Sequence, residues 1–490
     1  MADTHRLLAE WALNRVEQLG ASYADARVVE SRDRYVSTKN GAVGQVNVSE
    51  SLGIGIRVIA DGAWGFASTD RLSREDVERA ASEAVRIARA SATVKKRDLA
   101  LAPEKKFEDE WVTPAAKDPF QTSLEDNIDL LLRVDAELRR VAGVTLAEGA
   151  LHFRRIDQFF LSTIGSAIRQ TRYLTGGGYA ALAFTGNEIH KRSYPNSFGG
   201  QFQTRGYELI EELRLVENAA RVAEEVVALH KAEKCPEGVW DLILDGSQVG
   251  LQIHESIGHP IELDRVLGSE ANFAGGSFLT VDRLNRLKYG SEIVNVVADA
   301  RPEHGPGLGT FAYDDEGVPA QRTDIIRDGL FTGYITSRET APAIGEGRSN
   351  GCMRAESWNR IPLIRMSNIS ILPGSWTLAG LLEDTERGIY METNRSWSID
   401  DKRYNFQFGC EVAWEIRNGK KVRMLKNPSY SGITTEFWNS CDAICDANHW
   451  TLWGTPNCGK GQPQQTIGTG HGASPARFRG VKVGSAFGES

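Results

Sequence analysis

Apolar positions recur at helical spacing over residues 3–19, then give way to alternation in "ADARVVES". The stretch "SLGIGIRVIADGAWGFAST" (51–69) predicts two strands with a tight turn at Asp61-Gly62. Ser73 followed by Asp76 is a capping pattern that opens a helix to about 90, and Ser123 with Asp126 opens another to about 141. Between them, residues 94–122 are charged and contain proline, the composition of a surface connector. From 145 to about 205 the period becomes two, predicting an antiparallel meander, and a long helix is expected over roughly 206–232.

The second half is richer in strands. "WDLILD" (240–245) is a buried strand, and two hairpins turn at Asp328-Gly329 and Asn418-Gly419. The expected class is α+β in two domains. Residues 1–234 form a mixed α/β domain with an antiparallel sheet. Residues 235–490 form a β-rich, barrel-like antiparallel domain carrying the candidate chemistry. The boundary is placed near Cys235-Pro236-Glu237-Gly238. Glycine-rich pieces such as "TGGGYAAL" and "GPGLGTF" lack the Lys and Ser/Thr of a phosphate loop and read as turns or close-packed backbone.

Composition narrows the function. The net charge of -8 leaves no basic field for nucleic acid. No apolar run approaches the roughly 20 residues that cross a bilayer, and the amphipathic N-terminus carries acids, unlike a signal or transit peptide. Six cysteines spread over 490 residues are not a disulfide framework, so a cytoplasmic setting is expected.

The chemistry concentrates in "LQIHESIGHP" (251–260). His254, Glu255 and His259 resemble the helical zinc-peptidase motif, but the histidines are five apart where four is usual. With 9 histidines in 490 residues, only about 0.01 such matches arise by chance. On a regular α-helix, residues five apart diverge by about 140° and cannot face one ion. A π-bulge or a break would bring them round; Gly258 permits one, and Pro260 forces a change of course. Ser247 is the expected N-cap.

A catalytic zinc site usually has three protein ligands. Candidates for the third are Glu262, Asp264, Cys441, Cys445, His449, Cys458 and His471. Cys441-x3-Cys445-x3-His449 would align on a helix face, but its Trp- and Phe-rich surroundings favour packed thiols. Cys458, in "TPNCGKGQPQQTIG", has polar, Pro- and Gly-rich neighbours that suggest a loop able to offer a thiolate.

The motif "HESIGHP", together with "NCGKGQPQQTIGTGHGASPARFRGVKVG", resembles the TldD/PmbA family of metallopeptidases. Supporting matches run in order through "GIRVIADGAWGFAST", "YDDEGVPAQRTDIIRDGLFTGYI" and "MSNISILPG". The resemblance implies the metal-bearing, TldD-like branch, with His254, His259 and Cys458 holding Zn2+ and Glu255 as the catalytic residue. It implies peptide substrates, unfolded or short, in an enclosed dimer cleft. The dimer is expected with a second copy or with a metal-free paralogue. The alternative it leaves is a regulatory, peptide-binding module of the gyrase-modulator kind. "IELDRVLGSEANFAGGS" and "TNRSWSIDDKRYNFQFGCE" depart from the family's usual wording and leave partner and substrate open.

Chemically, such a zinc lowers the pKa of a water in its open position towards about 7, and Glu255 can take that water's proton and pass it to the leaving amine. His471 and Asn457 are candidate contacts to the transition state or substrate. Nothing in the donor set excludes iron or another divalent ion.

Overall fold

The alternating residues of the first half build one eight-stranded sheet. The protein is described from a computed structural model covering residues 2–186, 188–272 and 275–485. Helix α1 (Ala2–Gln18) precedes strands β1 (Tyr23–Lys39), β2 (Ala42–Ala60) and β3 (Ala63–Thr69), with the β2–β3 turn at Asp61-Gly62 as expected. After α2 (Arg74–Ala92) come β4 (Glu108–Val112) and α3 (Leu124–Arg139). The side chains of Ser73 and Ser123 cap α2 and α3, each accepting from the backbone N–H three residues on. The meander follows as β5 (Leu146–Ser162), β6 (Ala167–Thr185), β7 (Glu188–Tyr194) and β8 (Gln201–Gln203). The main path of the sheet runs β3-β2-β1-β5-β6-β4, with β7 and β8 also paired to β6.

Two expectations about the first half need correction. The 94–122 connector contains β4, which lies parallel to β6. The helix expected over 206–232 is two, α4 (Glu208–Glu212) and α5 (Leu215–Ala228), because Arg214 between them adopts φ 46°. A left-handed residue cannot continue a right-handed helix.

Pleating gives the sheet two faces. Val28, Val36, Ile56, Leu151 and Phe153 point to the helices and are sealed against α1, α2, α3 and α5. The opposite face is charged yet buried. Arg57 bonds Asp25 at 2.7 Å and Glu316 at 3.1 Å, Arg27 reaches Asp315 at 3.5 Å, and Gln158 donates to Asp315 at 2.7 Å. These contacts pin the first half to "YDDEG" (313–317) of the second. Removing one partner of such a pair strands a buried charge, at a cost of about 3–5 kcal/mol.

In the second half, five strands close into a barrel: Arg387–Ile399, Gly238–Leu244, Ala476–Ser485, Pro428–Ile433 and Asn405–Arg417, the last pairing back to the first. This is the barrel-like element expected from sequence. Helix α6 (Gly246–Ile253) leaves the Gly238–Leu244 strand directly and is buried on every side. Its cap is Asp245, not Ser247: the Asp245 carboxylate accepts from the N–H groups of Ser247 and Gln248. Beside it lies a two-stranded ribbon, Thr451–Lys460 with Gln465–Ala473.

Candidate metal centre

Helix α6 does not end at Ile253; it widens into a single π turn over His254–Gly258. The reason is local. Pro260 has no N–H, so the carbonyl of Ser256 has no α-helical partner, and the Tyr289 hydroxyl donates to it instead. The His259 N–H skips one residue and donates to the His254 carbonyl at 3.2 Å. The wider turn places the two imidazoles edge to face, 4.8 Å between centroids. Gly258 is required here for space, whereas the sequence suggested backbone freedom: a Cβ at this position would run into the Met366 sulfur.

Cys458 comes from 199 residues away, its Sγ 3.8 Å from His259 Nε2. It lies in the Thr451–Lys460 strand and is only 4% exposed, not on the open loop its neighbours suggested. A register shift between Thr455 and Cys458 marks a bulge at Pro456-Asn457, and bulges re-aim side chains. Burial alone would push the thiol up. The electrostatic pull of the adjacent His259 and Arg365 more than offsets it, and the net shift is down, favouring thiolate.

One ligand atom from each of His254, His259 and Cys458 lies within 4.8 Å of the others, the one such group among the described residues. Tetrahedral zinc with ordinary bond lengths separates sulfur and nitrogen ligands by about 3.6 Å, close to the 3.8 Å found. The residues fit the ion.

Each imidazole is held from behind. His471 Nδ1–H donates to the Ile369 carbonyl at 3.1 Å, which leaves its Nε2 to accept from His254 Nδ1–H at 2.7 Å. That chain of bonds fixes the tautomer and presents His254 Nε2 as the free lone pair. Burial, then the neighbouring His254, pushes His471 well down, so it stays neutral as an acceptor. His259 Nδ1 faces the Glu262 carboxylate at 3.2 Å, again presenting Nε2. Glu262 is fully buried; burial would raise it, but Lys460, His259 and Arg265 hold it well below the usual carboxylate range. Lys460 also donates to Asp264 at 2.7 Å.

The remaining candidates fall as follows. Glu255 is 5% exposed, and its carboxylate accepts from Arg403 Nη1 at 2.8 Å. His471, expected as a contact to the transition state, has both ring nitrogens committed to His254 and Ile369, so no N–H is left for a substrate oxygen. Asn457 is exposed at the bulge. Cys441 lies in the short strand Cys441–Ile444 and His449 bonds Asp446 at 2.9 Å, so the helix face imagined for Cys441, Cys445 and His449 does not form.

Sequence reasoning missed Arg403. It sits in the turn joining two barrel strands with φ 64°, within "TNRSWSIDDKRYNFQFGCE", and that unusual wording was the available signal.

Comparison with known proteins adds a family. The PmbA/TldA metallopeptidase C-terminal domain matches residues 237–485, and the PmbA/TldA metallopeptidase domain 1 matches residues 24–88. A metalloprotease of Methanocaldococcus jannaschii is 28% identical over 465 residues, 94% of this chain and 97% of its own. A metalloprotease TldD homolog of Buchnera aphidicola is 25% identical over 492 residues, 98% of this chain and 95% of its own. Among solved structures, TldE from Thermococcus kodakarensis superposes with a TM-score of 0.72 at 16% identity, covering 98% of this chain and 100% of that one. A Thermotoga maritima protein described as a modulator of a DNA gyrase gives 0.75 at 16% identity, covering 97% and 99%. At that identity the two structures speak for the fold alone.

Proposed function

The chain belongs to the PmbA/TldD family of metallopeptidases, and from that premise we propose that it is a zinc-dependent peptidase of the metal-bearing branch. His254, His259 and Cys458 hold the ion and Glu255 moves the proton. The observation that carries the reading is the convergence of three ligand atoms from two distant segments within 4.8 Å, with each histidine buttressed by a buried partner.

When bound, zinc supplies Lewis acidity and an open position for water. The chain's own residues do the rest. His471 and Glu262 hold the imidazoles in the tautomers that present Nε2. Glu255 takes a proton at its carboxylate from an attacking water and returns it to the leaving amine, a role worth about 10² to 10⁴-fold. Arg403 fixes the direction of that carboxylate. Residues 235–490 carry the chemistry, and residues 1–234 shape the surface a peptide meets. Short or unfolded peptides suit a site whose acid and ligands are all nearly buried, because a flexible chain can thread where a folded surface cannot. Assembly as a dimer, with itself or with a metal-free paralogue, completes the reading.

A peptide-binding module without essential proteolysis is the competing reading, favoured only by the gyrase-modulator description of structural neighbours. Zinc content and peptide cleavage, measured on wild-type and Glu255→Gln protein, separate the two. Full metal with cleavage lost supports the peptidase. Full metal with cleavage unchanged rejects the role of Glu255.

A further inference from the structure

A second cavity, of about 190 Å³, lies between the charged face of the first sheet and the Thr451–Lys460/Gln465–Ala473 ribbon. None of the proposed metal ligands lines it. Its walls carry Arg154, Arg172 and Arg354, with Glu356 the one carboxylate among the lining residues, beside an apolar side that includes Leu174 and Leu308.

The three guanidinium groups differ in how well they are answered. Arg154 has Asp33 at 3.3 Å. Arg354 is 4% exposed, and its Nη groups meet only neutral main-chain carbonyls: Leu308 at 3.4 Å, Gly468 at 2.9 Å, and Met366. Its Nε has no partner among the described residues. Arg172 is half-buried, its side chain makes no hydrogen bond or ion pair among the described residues, and its Nε is sealed from solvent. The acid nearest in influence, Asp315, is already engaged by Arg27 at 3.5 Å, Gln158 at 2.7 Å and the Ala355 N–H at 2.6 Å. Burial, then the neighbouring Arg365 and Arg172, pushes Arg354 down; burial also pushes Arg172 down, with Asp315 opposing it in part.

A buried guanidinium answered only by neutral carbonyls, beside a half-buried one with no acid of its own, is costly and calls for an explanation. A planar five-donor fork matches an oxyanion, which it can grip through two parallel bonds. We propose that this cavity is an oxyanion-binding site, taking a carboxylate or phosphate group between Arg172 and Arg354. The volume admits such a group on a short stem, since a water's share of liquid is about 30 Å³. The cavity wall is continuous in sequence with the metal centre. Pro456 stands two residues before Cys458, and Gly468 precedes Thr469, whose hydroxyl lies 3.1 Å from His471 Nε2. If the group is a peptide carboxylate, the inference rests on the peptidase reading; if it is free phosphate, it does not.

The test is calorimetric titration of the full chain with inorganic phosphate, then with N-acetyl-dialanine as its free acid and as its amide. The proteins are wild type, Arg172→Met, Arg172→Lys and Cys458→Ala. Phosphate should bind the wild type, weaken by about tenfold or more in Arg172→Met, fall in between for Arg172→Lys, and be unchanged in Cys458→Ala. Displacement of phosphate by the free acid and not by the amide identifies a peptide carboxylate; no displacement by either identifies free phosphate. Zinc content matching wild type shows that an arginine variant is folded. Absence of phosphate binding to the wild type, equal binding by folded Arg172→Met, or loss in Cys458→Ala alone would overturn the proposal. Loss in Cys458→Ala alone would instead place the anion on the metal.

Discussion

Two parts of this chain offer the same kinds of metal donor, and a backbone irregularity decides each case in opposite directions. In the first, the π turn at His254–Gly258 brings histidines five residues apart onto one side. In the second, Cys441 and Cys445 are four apart, a spacing that shares one face on either a helix or a regular strand. A register shift between Cys441 and Ala443 breaks that periodicity. Cys441 enters the main core with Trp438 and Phe478, and Cys445 enters a separate one with Leu381 and Tyr390. Burial pushes both thiols up, Cys445 to about 12, so neither is a ready ligand. Donor identity and spacing propose a site; the local irregularity grants or withholds it.

The comparison breaks most directly on metal content. His254→Ala or Cys458→Ala should take zinc from about one per chain to nearly none, because a site of three protein ligands loses one of them. Cys441→Ala and Cys445→Ala should keep it. Elemental analysis after identical purification decides, and equal loss from both regions would end the distinction.

Next in size is chemistry without metal loss. Glu255→Gln should retain zinc while kcat for a flexible peptide drops about 10² to 10⁴-fold. The supporting residues come third. His471→Ala or Glu262→Gln should weaken zinc by about 10 to 100-fold in chelator competition, whereas His449→Ala, bonded only to Asp446, should leave it unchanged. Gly258→Ala must displace Met366 or reshape the π turn, costing about 1–3 kcal/mol in denaturant unfolding. The smallest effects belong to the second region: Cys441→Ala should cost about 1 kcal/mol and His449→Ala no more than about 0.5 kcal/mol.

These contrasts also mark what the sequence could reveal. The widened turn was legible because Gly258 and Pro260 are adjacent-chain signals, and the caps at Ser73 and Ser123 were legible for the same reason. A barrel-like domain is expected for the second half, but the local patterns themselves carry only its strand content. Its closure depends on pairing of Arg387–Ile399 with strands on both sides, which no local pattern encodes. The apolar pattern over 206–232 reads as one helix because nothing about Arg214 as a residue announces φ 46°. The Pro, Gly and polar neighbours of Cys458 are ambiguous between a loop and a bulged ribbon. His471 and Arg403 were out of reach as partners, being 217 and 148 residues from His254 and Glu255.

The separation of 199 residues between His259 and Cys458 also has a consequence in time. A ribosome adds about 5–20 residues per second, so the proposed third ligand emerges some 10–40 s after the second. Until then the growing chain has the two histidines without the cysteine proposed to join them. On the proposed reading, the site therefore stays open while the chain is still attached to the machinery that makes it.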